Sequence, residues 1–126
     1  MCTHIMMAAE RDPTVMIGGT LPLLESSGYR VGKGNTIILE SCEYYNSFLR
    51  FFPTVAVITN IEADHLDFFK DIEDIKKSFR EFASHVPQET GHVVVNMPEA
   101  ILMWRSKMPA MASLVGIIVG IVILYA

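Results

Sequence analysis

Two groups of metal-type and acid–base side chains stand directly after short apolar runs. In TVAVITNIEADHLDFF, Thr54 to Phe69, the apolar run stops at Asn60 and gives way to Glu62, Asp64, His65 and Asp67. The run Thr36-Ile37-Ile38-Leu39 stops in the same way at Glu40 and continues as ESCEYYNSF. Buried-type strands that end in a carboxylate or an imidazole describe half of a nucleotide or metal site, because the ligand crevice of an open parallel α/β sheet lies beyond the carboxyl ends of its strands. On adjacent strands, the Glu40 carboxylate and the His65 imidazole would share one divalent cation, with phosphate oxygens and water completing the shell. Magnesium prefers oxygen donors and keeps several waters, so an imidazole ligand also admits manganese. The plainer alternative makes Glu40 a solvated strand-end acid and His65 a helix-capping side chain. Asp64 and Asp67 flank the histidine. Either would fix the ring by accepting its second N–H, or they are simply acids at the start of a helix. Zinc lacks a second histidine nearby, and a Cys42–His65 nucleophile pair lacks a local feature that would activate the thiolate.

The elements that must position these groups follow from periodicity and breakers. Cys2 to Glu10 is predicted as a helix that Asp12-Pro13 ends. Thr14 to Ile17 is predicted as a strand with Gly18-Gly19 as a tight turn after it, and Leu21 to Arg30 as irregular. Lys33 in VGKGNT is turn chemistry leading into the strand Thr36–Leu39. It is not a phosphate loop, since the glycine spacing is wrong and the segment precedes a strand. Tyr44 to Phe52 is a short helical or irregular crossover stopped by Pro53, and Thr54 to Thr59 is the second strand. Asp71 to Phe82 is the clearest helix, with Ile72, Ile75, Phe79 and Phe82 at three- and four-residue steps and acids in its first turn. Val93 to Val95 is a further strand. Strand, crossover, strand, helix, strand predicts an α/β fold with a mostly parallel sheet.

The bulk numbers bound the function. The 126 residues make at most one domain, 51% hydrophobic composition suffices for a core, and a net charge of −4 without a basic block argues against nucleic acid. Two cysteines, Cys2 and Cys42, suit a reducing compartment better than a disulfide scaffold, and no signal peptide opens the sequence. From Ala110 to Ala126 no side chain is charged. Seventeen helical residues span about 25 Å, the short limit for a bilayer, and Arg105 and Lys107 precede them. The expected organisation is therefore an α/β portion at 1–98, a linker at 99–109 and an apolar C-terminal transmembrane helix at 110–126. That arrangement would anchor a cytoplasmic domain to the inner face of the plasma membrane. The alternative is a pair of buried strands, LVGII and IVILY, broken at Gly120.

Set out in this order, DPTVMIGGTLP (Asp12–Pro22), ESCEYYNSFL (Glu40–Leu49), PTVAVITNIEADHLDFF (Pro53–Phe69) and VVVN (Val93–Asn96) resemble the central, P-loop-type domain of the Mur ligases, most of all their L-alanine-adding branch. These pieces cover roughly two thirds of the chain, and TNIEADHLD is the most specific. The family activates a carboxylate with ATP as an acyl phosphate, which an amino acid amine then attacks, in peptidoglycan precursor synthesis. The resemblance implies Mg2+ (or Mn2+) at Glu40 and His65, Asn60 near the ATP phosphates, and Gly18 and Gly19 facing the muramyl substrate. It implies UDP-N-acetylmuramate and L-alanine as partners. The sequence departs from the family in three ways. It opens inside the helix that follows the family's Gly-x-x-Gly-Lys-Thr-Thr loop, so the phosphate-loop strand is expected to be lacking. Neither of the family's flanking domains is expected within these 126 residues. After Asn96, MPEAILMWRSK stands where small and acidic residues are expected. A partial domain, inactive alone, is the expectation, with a membrane-tethered, non-catalytic binding protein as the alternative.

Overall fold

The computed structural model describes residues 1–95 and the strand 121–125. In chain order the elements are α1 (Cys2–Ala8), β1 (Thr14–Leu21), β2 (Ser27–Arg30), β3 (Ile37–Ser41), β4 (Val55–Ile58), α2 (Ile72–Ser84), β5 (His92–Val95) and β6 (Ile121–Tyr125). Short 3-10 turns at Pro22–Leu24 and Tyr44–Arg50 link the strands. The six strands form one sheet in the order β2-β1-β3-β6-β4-β5.

The α/β class expected from the pattern is what folds, but the sheet is mixed rather than mostly parallel. β1–β3 and β4–β5 pair parallel, while β1–β2, β3–β6 and β4–β6 pair antiparallel. β3 and β4 were expected side by side; β6 lies between them, with Ile123 opposite Leu39 on one side and Ala56 on the other. Ile121–Tyr125 is thus a strand and not part of an apolar helix, as its β-branched residues favour. The second of the two buried strands weighed against the helix, IVILY, forms, and the first, LVGII, lies outside the described residues. The rest of 110–126, the proposed linker at 99–109 and the boundary at Pro98 lie outside the described residues. Among the described residues no helix is long and apolar enough to cross a membrane.

Two further expectations change. Gly18-Gly19 is not a turn after β1 but lies within it, where the pairing with β2 shifts register between Met16 and Leu21. The stretch read as irregular contains β2, which pairs back on β1 because Gly28 can sit against the carbonyl oxygens of Ile17 and Gly19; a Cβ there would meet them at 2.8 and 2.7 Å. VGKGNT is a loop, as expected, and Asp12 holds it: its carboxylate accepts the Lys33 N–H at 2.8 Å and pairs with Arg30 at 2.5 Å.

Side chains alternate across a strand, and β3 uses the alternation to serve two cores. Ile38 packs with Val15 and Leu24 beneath α1, where Cys2 and Met6 close the cluster. Its neighbour Leu39 packs against the larger cluster of Phe48, Ala56, Ile58, Phe79 and Phe82. The sheet is therefore covered on both faces, α1 on one and α2 on the other. Asp71 caps α2 by accepting the N–H groups of Glu73 and Asp74, both at 3.0 Å. This satisfies two donors that the first turn leaves without a helical partner. Ile75, Phe79, Phe82 and Ala83 then form its buried face, and the Ser78 hydroxyl donates to Asn46, tying the helix to the loop after β3. That loop is bent by Tyr45 and Asn46, both left-handed at φ 53° and 54°.

Candidate functional site

Glu40 sits near the carboxyl end of β3, and β1 runs parallel beside it. Its Oε2 accepts the Gly18 N–H at 3.1 Å. A Cβ at position 18 would lie 3.3 Å from Oε1, so glycine here lets the carboxylate rest against the strand backbone. Gly19 has no such neighbour; a Cβ there would meet nothing within 4 Å.

The chain leaving β4 turns at Asn60, whose side chain donates to the Glu62 carboxylate and accepts the Ile61 N–H at 3.0 Å. A cavity of about 520 Å³ opens between these segments, and Gly18, Glu40, Asn60 and Asp64 all line it, with Cys42 and Glu43 on the same wall. Both strand ends therefore reach one cavity even though β6 separates the strands. Gly19, His65 and Asp67 are not among its lining residues.

His65 stands differently from the expectation. Its backbone is left-handed at φ 53°, a strained state for a non-glycine residue. That geometry is held by its N–H donating to Asp64 Oδ1 at 2.7 Å, and by its carbonyl accepting the Phe68 and Phe69 N–H groups at 2.9 Å. The imidazole stacks on Tyr44, with centroids 4.4 Å apart and planes at 23°. Its Nε2 lies 3.6 Å from Oε1 of Glu43. The carboxylate beside the ring is thus Glu43, whereas Glu40 is turned to Gly18.

Asp64 and Asp67, read as partners of the ring N–H, are engaged elsewhere. Asp64 takes the His65 backbone N–H, and Asp67 takes the Tyr44 hydroxyl at 2.5 Å. Donation to the Asp67 carboxylate, and then the contact with Tyr45, push the Tyr44 phenol above its usual range. Asp67 thus acts on His65 through Tyr44, by fixing the ring on which the imidazole stacks.

Sequence reasoning missed Glu43 and undervalued Cys42. The signal was present as the second acid of ESCE, three residues beyond Glu40. What hid it is the turn after β3, which bends Cys42 and Glu43 round until their ligand atoms and a ring nitrogen of His65 all lie within 4.8 Å of one another.

Residues 29–116 match the family described as the Mur ligase middle domain. The chain belongs to that family. It is 44% identical over 103 residues to the UDP-N-acetylmuramate–L-alanine ligase of Clostridium perfringens, covering 82% of this chain and 22% of that protein. To the enzyme of the same name from Clostridium novyi it is 47% identical over 107 residues, covering 85% of this chain and 23% of that one. The crystal structure of the UDP-N-acetylmuramate–alanine ligase of Thermotoga maritima superposes with a TM-score of 0.64 at 26% identity, covering 74% of this chain and 21% of the other. The chain spans about a fifth of the length of these relatives.

Proposed function

We propose that the chain supplies the central-domain share of an ATP-dependent, L-alanine-adding ligase of peptidoglycan precursor synthesis, acting in the cytoplasm on UDP-N-acetylmuramate. One observation carries this reading: Gly18 from β1, Glu40 from β3 and Asn60 beyond β4 converge on one cavity, at the place where an α/β sheet presents its ligands. Membership in the family and the similarity to two alanine-adding ligases support it.

The donor set suits part of what that chemistry needs. Glu40 accepts the Gly18 N–H on Oε2 and, among the described residues, keeps Oε1 for other partners while lining the cavity, so it fits Mg2+ or Mn2+, with phosphate oxygens and water as the other ligands. Such a cation, when bound with ATP, would offset charge on the transferring phosphoryl group. Asn60 stands by as a polar contact for the nucleotide, and Gly18, whose N–H holds Glu40, borders the same cavity on the substrate side. His65 is the second ligand of this reading, with its ring stacked on Tyr44 and its Nε2 3.6 Å from Glu43 Oε1. The 126 residues contain no Gly-x-x-Gly-Lys-Thr-Thr. The lysine and hydroxyl of such a loop are what hold the phosphates, so the chain assayed alone with UDP-N-acetylmuramate, L-alanine, ATP and Mg2+ should give no turnover.

The test is a transplant. Residues 12–95 replace the matching segment of the Clostridium novyi ligase, and the chimera is assayed with and without Glu40→Gln. The expected result is an active chimera that loses at least about a hundredfold in kcat on removal of the carboxylate, as for loss of one electrostatic contact to the reacting group. A folded but inactive chimera, or equal activity with and without Glu40, would overturn the proposal.

A further inference from the structure

We propose that Tyr44, locked by Asp67, is a positioning residue for the cation site, holding the His65 imidazole in the orientation in which it serves as a ligand with Glu40. The inference rests on the reading of Glu40 and His65 as the ligand pair. It deepens that reading by giving a role to a side chain outside the pair.

The two ligands come from different loops. Glu40 stands at the end of β3 and His65 in the loop after β4, and β6 lies between those strands. No ladder hydrogen bond joins β3 to β4, so something else must hold the two loops in register. His65 is also only partly buried, and an imidazole on a loop has two side-chain bonds to rotate about. Fixing the ring beforehand removes an ordering cost that the cation would otherwise have to overcome.

Tyr44 supplies the tie. It belongs to the loop after β3, yet its ring stacks on the His65 imidazole at 4.4 Å and 23°, and its hydroxyl donates to Asp67 Oδ2 at 2.5 Å. Asp67 and His65 share one turn, closed by the Phe68 and Phe69 N–H groups on the His65 carbonyl. That single turn therefore grips Tyr44 at its face and at its tip, and the partner that sets the imidazole plane is itself held. The loop of Tyr44 is anchored as well: Asn46 accepts from Ser78 of α2, and the Tyr44 N–H donates to Cys42 Sγ at 3.4 Å. The Nε2 of the ring lies 3.6 Å from Glu43, a residue of the cavity wall. Consecutive residues, Glu43 and Tyr44, thus flank the imidazole beside the cavity that Glu40 lines.

The plainer account makes Tyr44 one member of an aromatic cluster with Tyr45 and Phe68, at centroid distances of 4.4 and 6.1 Å. Ring packing alone is indifferent to the hydroxyl, so on that account the tie to Asp67 has no bearing on metal binding. If Tyr44 positions the ligand, losing the hydroxyl or its acceptor weakens the metal. Removing a partner that orients a metal-bound histidine typically costs about 10–100-fold in affinity.

The experiment is titration of the full chain with Mn2+ alone, followed by electron paramagnetic resonance. Loss of the free-ion signal gives the affinity, and nitrogen-14 modulation of the pulsed signal reports a bound imidazole. The parent should show nitrogen coupling that disappears in His65→Ala, and weaker binding in Glu40→Gln. Tyr44→Ala should lose the coupling and weaken Mn2+ by about tenfold or more, the equivalent of 1.4 kcal/mol. Tyr44→Phe and Asp67→Ala should each fall between Tyr44→Ala and the parent. Asp67→Asn, which keeps an acceptor for the hydroxyl, should restore binding to within about twofold of the parent. Thermal melts show that each variant is folded. Coupling and affinity retained in Tyr44→Ala, or Tyr44→Phe and Asp67→Ala both indistinguishable from the parent, would overturn the positioning role and leave the ligand pair standing. A parent without nitrogen coupling would overturn the ligand pair, and the inference with it.

Discussion

Ile123→Pro is the sharpest single perturbation of the fold, because residue 123 faces Leu39 on β3 and Ala56 on β4 at once. Proline removes the N–H at the middle of the strand that joins the two parallel pairs. The lost ladder bond costs about 0.5–1.5 kcal/mol, and the carbonyl left without its donor inside a sheet covered on both faces costs about 1–3 kcal/mol more. Together these come to roughly 1.5–4.5 kcal/mol, a large share of the 5–15 kcal/mol typical of a domain. At about 4 °C per kcal/mol for a chain of this size, the midpoint should fall by roughly 6–18 °C. The assay is thermal unfolding followed by circular dichroism, with Ile123→Val as a control that keeps the N–H and should move the midpoint by less than half as much. A proline variant within about 2 °C of the parent would refute the central placement of β6, and with it the reason given for the separation of β3 from β4.

Two other perturbations test the core and its polar ties. Phe82, fully buried and 4.9 Å from the Phe48 ring centroid, should cost about 3–5 kcal/mol when cut to alanine, measured by urea unfolding with an unchanged slope; a loss below about 1 kcal/mol would contradict the packing described. The Lys33 backbone N–H and then the Arg30 guanidinium hold the Asp12 carboxyl below its ordinary 3.8. Because the folded value is the lower one, this stabilisation is complete above the unfolded value and is lost as pH falls through the folded value. Asp12→Asn should therefore lower the midpoint at neutral pH and flatten its decline below about pH 4; an unchanged acid limb would show that the contact does not persist in solution.

How much of this was legible in the sequence depends on whether the cause was local. α2 declared itself through its apolar steps and its capping aspartate, and β3 and β4 through β-branched runs ending at Glu40 and Asn60. That both runs end at one cavity was also legible. β2 was hidden because its pairing rests on Gly28 fitting against the carbonyls of β1, a tertiary fit with no periodic trace. β6 was hidden because an unbroken apolar run satisfies helix and buried strand alike, and only the gap between β3 and β4 decides between them.

At the site, the carboxylate beside His65 was not legible in the sequence. Glu40 was expected to share a cation with His65, and Asp64 or Asp67 to take the ring N–H; the structure puts the carboxylate of Glu43 3.6 Å from the imidazole and the Gly18 N–H on Glu40. Side-chain direction after a strand end is set by the turn, and the left-handed Tyr45 and Asn46 that shape this one are not residues that announce such a bend.

The central claim is that two strand ends, separated by an intervening strand, still open on one cation-binding cavity. Paramagnetic broadening of backbone amide signals by Mn2+, added in substoichiometric steps to the nitrogen-15-labelled chain, tests it most directly. The Gly18, Ser41 and Asn60 amides, which border that cavity, should lose intensity together at the first additions. Broadening of Asn60 while Gly18 and Ser41 keep their full intensity would contradict the account.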